Sequence, residues 1–250
     1  MARYIGSYKY IRFADNAILT LPDGNWSWGG WIKVNSNGTE STYQVIFNWG
    51  GYAATPSCTA FLYSPTSGDP NQLHFRIHDA AGNGGWFWSN DTFGTTRTWQ
   101  HLLFVRVDDV VKCYLGGVYY KTATVTNMAA VDVAGAWTFG NSSTTDLDLA
   151  EWAKWDRALS SSDIQSLATG YSPLFLQRDL KWHLPLDDGL CRETCGALAV
   201  SNNGVASEHP PAIRPLYLLP ATARRLGPGA CRATAALVNL GGAQKGVVYA

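Results

Sequence analysis

Over most of the first 170 residues, apolar side chains recur at every second position, in short runs separated by turns rich in Gly, Asn, Asp and Pro. This period constrains the chain more than any other feature. Successive side chains of a strand point to opposite faces of a sheet, so alternation buries one face and wets the other. In Leu73-His74-Phe75-Arg76-Ile77-His78, the residues Leu73, Phe75 and Ile77 share one face and His74, Arg76 and His78 the other, which reads as wet. Residues 99–107, Trp-Gln-His-Leu-Leu-Phe-Val-Arg-Val, are apolar nearly throughout, the pattern of a central strand covered on both sides. Residues 26–34, 43–49, 61–63, 86–88, 137–140 and 147–155 add strands at the spacing of a sandwich or jelly roll. Gly116-Gly117 lies between the runs 112–115 and 118–122, and two glycines supply the positive φ that a tight type I′ hairpin needs. One segment reads as helix: Ser160, Ser161, Ser162 and Asp163 offer caps and a first-turn carboxylate, Ile164, Leu167 and Ala168 share a face, and Gly170 supplies a stop. The expected fold is an all-β, two-sheet antiparallel jelly-roll sandwich with one short helix and an extended C-terminal arm.

Three regions follow: a sandwich over residues 1–170, a proline-punctuated extension packed on it over 171–219, and an arm over 220–250 dominated by Ala, Gly and Arg. Charged residues are 15% of the chain and AVILMFWYC 46%, a balance that folds rather than stays disordered. Nineteen basic residues offset nineteen acidic ones, so no broad positive field gathers phosphate backbones or anionic lipid, and nucleic acid is not an expected partner. No apolar run approaches the roughly 18 residues needed to cross a bilayer, and the first residues do not read as a signal peptide. Five scattered cysteines, Cys58, Cys113, Cys191, Cys195 and Cys231, point to synthesis in a reducing cytosol.

By Leu159 the order of elements resembles the laminin-G-like, or concanavalin A-like, jelly roll. Residues 25–34 (Asn-Trp-Ser-Trp-Gly-Gly-Trp-Ile-Lys-Val) are similar to the family's early strand ending in Trp-Val-Lys, and residues 99–106 to its Trp-His-His strand. Residues 114–118 (Tyr-Leu-Gly-Gly-Val) are similar to its Tyr-Val-Asp-Gly hairpin. Residues 150–160 resemble its closing strand, which ends in Asn-Arg-Ala-Leu-Ser before a helix. Gly116 stands where the family has Asp, and Ala150 replaces the Asp before Glu151, so calcium finds no support in these residues and no cofactor is expected.

Ser172-Pro173-Leu174, residues 180–186 and Glu208-His209-Pro210 resemble the tail that follows such domains in proteins of phage and prophage structural gene clusters. That resemblance implies a non-catalytic structural or decoration protein of a tailed-phage virion, assembled in the bacterial cytoplasm. It would be homo-oligomeric and fastened to other capsid or tail subunits through its C-terminal segment. The alternative is a carbohydrate-binding adhesin or receptor-binding module that touches a host surface glycan, and a third reading is a glycoside hydrolase.

Several residues are candidates for sites. Trp86 and Trp88, two apart beside Gly84-Gly85, share a face near a loop and form a candidate platform for a glycan or a partner. Burial between the sheets is the competing and weightier reading for both. Tyr217, Leu218 and Leu219, with Val247, Val248 and Tyr249, are candidate assembly contacts, the last three able to add a strand to a partner's sheet edge. Asp146, Asp148 and Glu151 repeat the carboxylate spacing of retaining glucanases only if a bulge precedes Glu151, and solvated strand-end carboxylates are the favoured reading. His74, Arg76 and His78 are candidates for gripping an anion or a metal, with a plain polar face favoured. His101 reads as a structural histidine. His183, Cys191, Cys195 and His209 are competent zinc ligands at a spacing that fits no standard finger, so a reduced Cys191–Cys195 pair or a local disulfide is favoured.

Overall fold

A computed structural model describes residues 2–6, 9–36, 42–51, 54–64, 72–89, 93, 97–140, 144–186, 200–202, 205–207, 235–240 and 244–249. Strands β1 (Ala2–Ile5), β2 (Tyr10–Phe13), β3 (Trp26–Val34), β4 (Thr42–Trp49), β5 (Ser57–Ser64), β6 (Gln72–His78), β7 (Gly84–Trp88) and β8 (Trp99–Val107) are followed by β9 (Val110–Leu115), β10 (Val118–Thr124), β11 (Trp137–Gly140), β12 (Leu147–Trp155), β13 (Leu180–Leu184), β14 (Val200–Asn202) and β15 (Val205–Ser207). One sheet runs β10-β9-β8-β3-β12-β1-β15, with β13 also pairing with β12, and the second runs β14-β2-β11-β4-β5-β6-β7. All pairings are antiparallel, so the all-β jelly-roll sandwich is the observed fold. The Gly116-Gly117 hairpin forms with φ of 57° and 82°, the paired left-handed conformations that a tight turn matched to strand twist requires.

The main core lies between the sheets and is built on aromatic rings. Trp28 of β3 has Trp137 of β11 at 4.5 Å between centroids and Trp182 of β13 stacked at 5.0 Å. Seven of the eleven tryptophans are less than 2% exposed, Trp26, Trp28, Trp49, Trp137, Trp152, Trp155 and Trp182. Each such ring buries roughly 150–250 Å², so this layer dominates the stabilisation.

β8 is covered on both faces, as its unbroken apolar run requires. Leu102 and Phe104 face the main core, while Leu103 and Val105 join a second cluster with Ile164 and Leu167 of helix α1 (Ser161–Ala168) and with Leu174. The helix begins in a capping box, with Asp163 N bonded to Ser160 Oγ and Ser160 N to Asp163 Oδ2. Arg106, the one charge in β8, is 3% exposed, and its guanidinium donates to the carbonyls of Pro22, Asp108 and Met128.

Packing does not stop at Gly170. β13 is a strand of the larger sheet, and Trp182, Leu184 and Leu186 belong to the main core. Farther on, β14 pairs with β2 in one sheet and β15 with β1 in the other, so the chain crosses between the sheets beside the N-terminal crossing. Strands β1 and β2 have no counterpart in the sequence reading.

Val247, Val248 and Tyr249 lie in β17 (Gln244–Tyr249), which pairs with β16 (Ala235–Leu240) in a two-stranded ladder of its own. Intramolecular pairing thus occupies one edge of the segment expected to pair with a partner. Tyr217, Leu218, Leu219, Cys191, Cys195, His209 and Cys231 lie outside the described residues.

Candidate functional site

Strand β7 is the edge of the seven-stranded sheet, paired only with β6 among the described strands. Phe87 takes the core-facing position opposite Phe75, so parity turns Trp86 and Trp88 outward, opposite Arg76 and His74. They are 66% and 40% exposed, the only tryptophans of the chain with this exposure. This corrects the weightier expectation of burial: alternation forces 86 and 88 to one face, but the core needed only Phe87 from this strand. Gly84-Gly85 is explained by close approach, since a Cβ at Gly85 would collide with the Thr124 carbonyl of β10 and one at Gly84 with the Ile77 carbonyl.

The hairpin is held at its turn by Asp79. Its Oδ1 accepts from the Ala81 and Asn83 amides at 2.9 Å, while its Oδ2 accepts from Asn83 Nδ2 at 3.2 Å and the Ala129 amide at 2.8 Å. Burial works to raise the Asp79 pKa, and these hydrogen bonds overcome it, holding the carboxyl below its ordinary value.

The outward face of β6 is only partly wet. His74 is 5% exposed, in contact with Trp88, Phe61 and Tyr63, and burial pushes its pKa down to about 4. The all-wet expectation fails because bulky neighbours on β5 and β7 cover their smaller cross-strand partner. Arg76 Nε donates to His78 Nδ1 at 3.0 Å, which places the proton of the neutral imidazole on Nε2. Burial, and next the Arg76 charge, hold His78 below its ordinary pKa, against an opposing pull from Asp79. Trp88 Nε1 donates to Gln72 Oε1, fixing the indole plane. His74, Arg76, His78, Trp86 and Trp88 together line a shallow depression of about 370 Å³. His74 Nε2 and, on the neighbouring strand β5, Thr59 Oγ1 opposite Arg76 and Ser57 Oγ opposite His78 are buried without a hydrogen-bond partner among the described residues. Gln72, Asp79, Ser57 and Thr59 were not singled out from the sequence. The parity of Gln72 with His74 was the available signal for one of them, whereas the contact of Asp79 with Ala129 is long-range.

The other candidates are dispersed. A register shift between Ala150 and Ala153 supplies the bulge anticipated before Glu151, which sits there at φ 52°. Glu151 Oε2 is bonded to His183 Nε2 and Ser172 Oγ, whereas Asp148 Oδ2 is held by Lys33 Nζ at 2.7 Å and Asn35 Nδ2 at 3.2 Å. Asp146 accepts from Ser36. His101 is 3% exposed, its ring edge-on to Trp31, and burial pushes its pKa down to about 3. Among the described residues, no group of three or more His, Cys, Asp or Glu side chains is placed to hold a metal, and Lys33 supplies the positive charge beside Asp148.

Residues 6–165 match a laminin-G-type family described as the concanavalin A-like lectin/glucanases superfamily. The chain belongs to this superfamily. Among curated proteins there is no significant sequence match. Solved structures that share this lectin/glucanase fold include the binding domain of paraclostridial mosquitocidal protein 1, at TM-score 0.52 and 14% identity over 67% of this chain and 45% of that one. The botulinum neurotoxin serotype D binding domain gives 0.53 at 16% identity over 67% and 41%, and the receptor binding domain of botulinum neurotoxin D gives 0.53 at 15% over 67% and 43%. The matched region spans less than half the length of each of these structures.

Proposed function

We propose that this chain is a non-catalytic binding module that holds a glycan against Trp86 and Trp88. The observation that carries this reading is the placement of two neighbouring indoles, outward and exposed, on an edge hairpin pinned by Asp79. Other indoles of the chain fill the core or lie half-buried; Trp88 also covers His74, whereas Trp86, at 66% exposed, is the more open of the two. A sugar ring offers an apolar C–H face and a rim of hydroxyls, which indole faces and the polar groups of Gln72, Arg76 and His78 complement. Covering about 100 Å² of each indole at about 25 cal/mol per Å² contributes ~2.5 kcal/mol per ring. After the cost of association, that supports millimolar to micromolar affinity, which repeated display on an oligomer would raise. The printed descriptions of the fold neighbours, binding and receptor-binding domains of toxins, are in keeping with a binding role. Glycan-array binding that disappears in Trp86→Ala and Trp88→Ala, at unchanged melting temperature, is the expected result. Binding that survives both substitutions removes the platform.

The second reading is a structural or decoration protein of a phage particle, oligomeric and attached through residues 220–250. It is favoured by one observation: among the described strands, β16 and β17 pair with each other and with neither sheet of the sandwich. Its other support is weakened, because the stretch 180–186 that resembles phage tails is accounted for by the packing of β13 into the core. Deleting residues 220–250 tests it, since a truncated protein that still occupies particles at normal copy number excludes attachment by this segment.

A further inference from the structure

We infer that the glycan held at Trp86 and Trp88 is a single linear chain bound through its interior and laid across the outer face of the seven-stranded sheet as far as Tyr43. The inference rests on the glycan-platform reading and adds to it the length and the class of the sugar.

The two indoles are one end of a row of rings. Strands β4, β5, β6 and β7 are successive neighbours in this sheet. Ala60, Leu62, Leu73, Phe75 and Phe87 take its core-facing positions, so parity puts Phe61, Tyr63, Gln72, His74, Trp86 and Trp88 on the opposite face, and the register adds Tyr43 across from Tyr63. Tyr43 stacks on Tyr63 with centroids 4.9 Å apart, and Tyr63 meets Trp88 edge-on at 5.4 Å. That second contact passes over β6, whose outward residues there are Gln72 and His74. Phe61 is buried against both Tyr43 and His74 and closes the gap beneath the row. With neighbouring strands about 4.8 Å apart, the row from β4 to β7 covers roughly 14 Å, more than one sugar ring can span.

Its chemistry suits a sugar chain. Among the described residues, the exposed large hydrophobic side chains on strands of this sheet are Tyr43, Trp86 and Trp88, all aromatic, and no exposed large aliphatic side chain accompanies them. Flat rings receive the C–H faces of successive sugars, and Gln72, whose Oε1 is taken by Trp88 Nε1, presents its amide nitrogen as a donor for hydroxyls between them.

Its shape selects the form of the chain. A site that reads a chain end encloses that end, whereas the depression at Trp86 and Trp88 is shallow and no described strand of this sheet lies beyond β7. At the other end of the row Tyr43 is 49% exposed. The row is also stepped, with 28° between the planes of Tyr43 and Tyr63 and 90° between those of Tyr63 and Trp88. A flat crystalline polysaccharide cannot follow such steps, but a single chain turns about its glycosidic bonds to meet each ring.

The test is a size series of cello-, xylo-, laminari- and chito-oligosaccharides, from monosaccharide to hexasaccharide, titrated against the intact chain, Trp86→Ala, Tyr43→Ala and Tyr43→Phe, with crystalline cellulose and chitin as pull-down arms. For the series that binds, affinity is expected to rise about tenfold or more from disaccharide to hexasaccharide. Tyr43→Ala lowers hexasaccharide affinity about tenfold and leaves the disaccharide within about twofold, Tyr43→Phe keeps both, and Trp86→Ala loses both. This dependence on chain length is a signature that a merely structural Tyr43 would not give, and melting temperatures within a few degrees of the intact chain separate lost recognition from lost folding. A disaccharide that binds as tightly as the hexasaccharide, with Trp86 needed and Tyr43 not, would overturn the extended chain and leave the platform standing. Retention on the crystalline polymers without binding of soluble oligosaccharides overturns the single chain. Self-association in sedimentation that Tyr43→Ala dissolves would assign the row to a second copy and overturn the inference as well. No binder in any series, or binders indifferent to Trp86→Ala, overturns both the inference and the platform.

Discussion

Glu151 Oε2 lies 3.0 Å from His183 Nε2, both side chains buried, with Ser172 Oγ 3.1 Å from the same oxygen. The contact joins the bulge of β12 to strand β13 and to the loop after α1, so the family's closing strand and the segment beyond it are one cooperative unit. It also corrects the favoured reading of Glu151 as a solvated strand-end carboxylate, because the bulge turns this side chain into a buried contact with His183.

Removing the imidazole leaves a buried carboxylate short of a donor. His183→Ala is expected to lower unfolding free energy by about 3 kcal/mol, read from the midpoint of urea denaturation. A loss below about 0.5 kcal/mol, the range of ordinary surface changes, would mean that the contact does not hold β13 in place.

Trp28 and Trp86 are the same residue type in opposite roles. Trp28→Ala empties the centre of the aromatic core and should cost about 3–5 kcal/mol or prevent folding, whereas Trp86→Ala should change stability by about 0.5 kcal/mol or less. Thermal melts of the two variants side by side decide it, and equal losses would show that Trp86 is a packing residue.

Asp79 ties the β6–β7 turn to Ala129. Asp79→Ala strands three backbone donors, so about 2–3 kcal/mol of stability should disappear together with glycan binding, because the hairpin that aims Trp86 and Trp88 loosens. Faster hydrogen exchange at the Ala81 and Asn83 amides is the direct readout, and unchanged protection there would contradict the role given to Asp79.

His101 is neutral and buried, with its pKa near 3 against about 6.5 in an unfolded chain. The unfolded state therefore binds the extra proton between these values. The stability that His101 contributes is complete above about pH 6.5 and declines by about 1.4 kcal/mol per pH unit as pH falls toward 3. His101→Gln should flatten this slope in pH-dependent urea melts. A slope that the substitution leaves intact would assign the acid sensitivity to other groups.

Asp148 is paired with Lys33 and Glu151 with His183, an arrangement suited to holding strands. The expected outcome of incubation with β-glucan is no release of reducing ends. Release that stops in Asp148→Asn would restore the hydrolase reading.

Residue order alone determined most strands between residues 26 and 155, which of their residues share a face, and the helix, since a period of two, a glycine pair at 116–117 and capping residues at 160–163 are local patterns with local physical causes. It also placed Trp86 and Trp88 on one face, because parity is fixed along a strand. Which face met the core was decided by tertiary structure: β7 is an edge strand that gives the interior one aromatic, Phe87, and that follows only from the pairing order. The same holds for β1, β13 and the pairing of Glu151 with His183. Such contacts join residues far apart in the chain, and their energy exists only once two sheets have closed around a shared core.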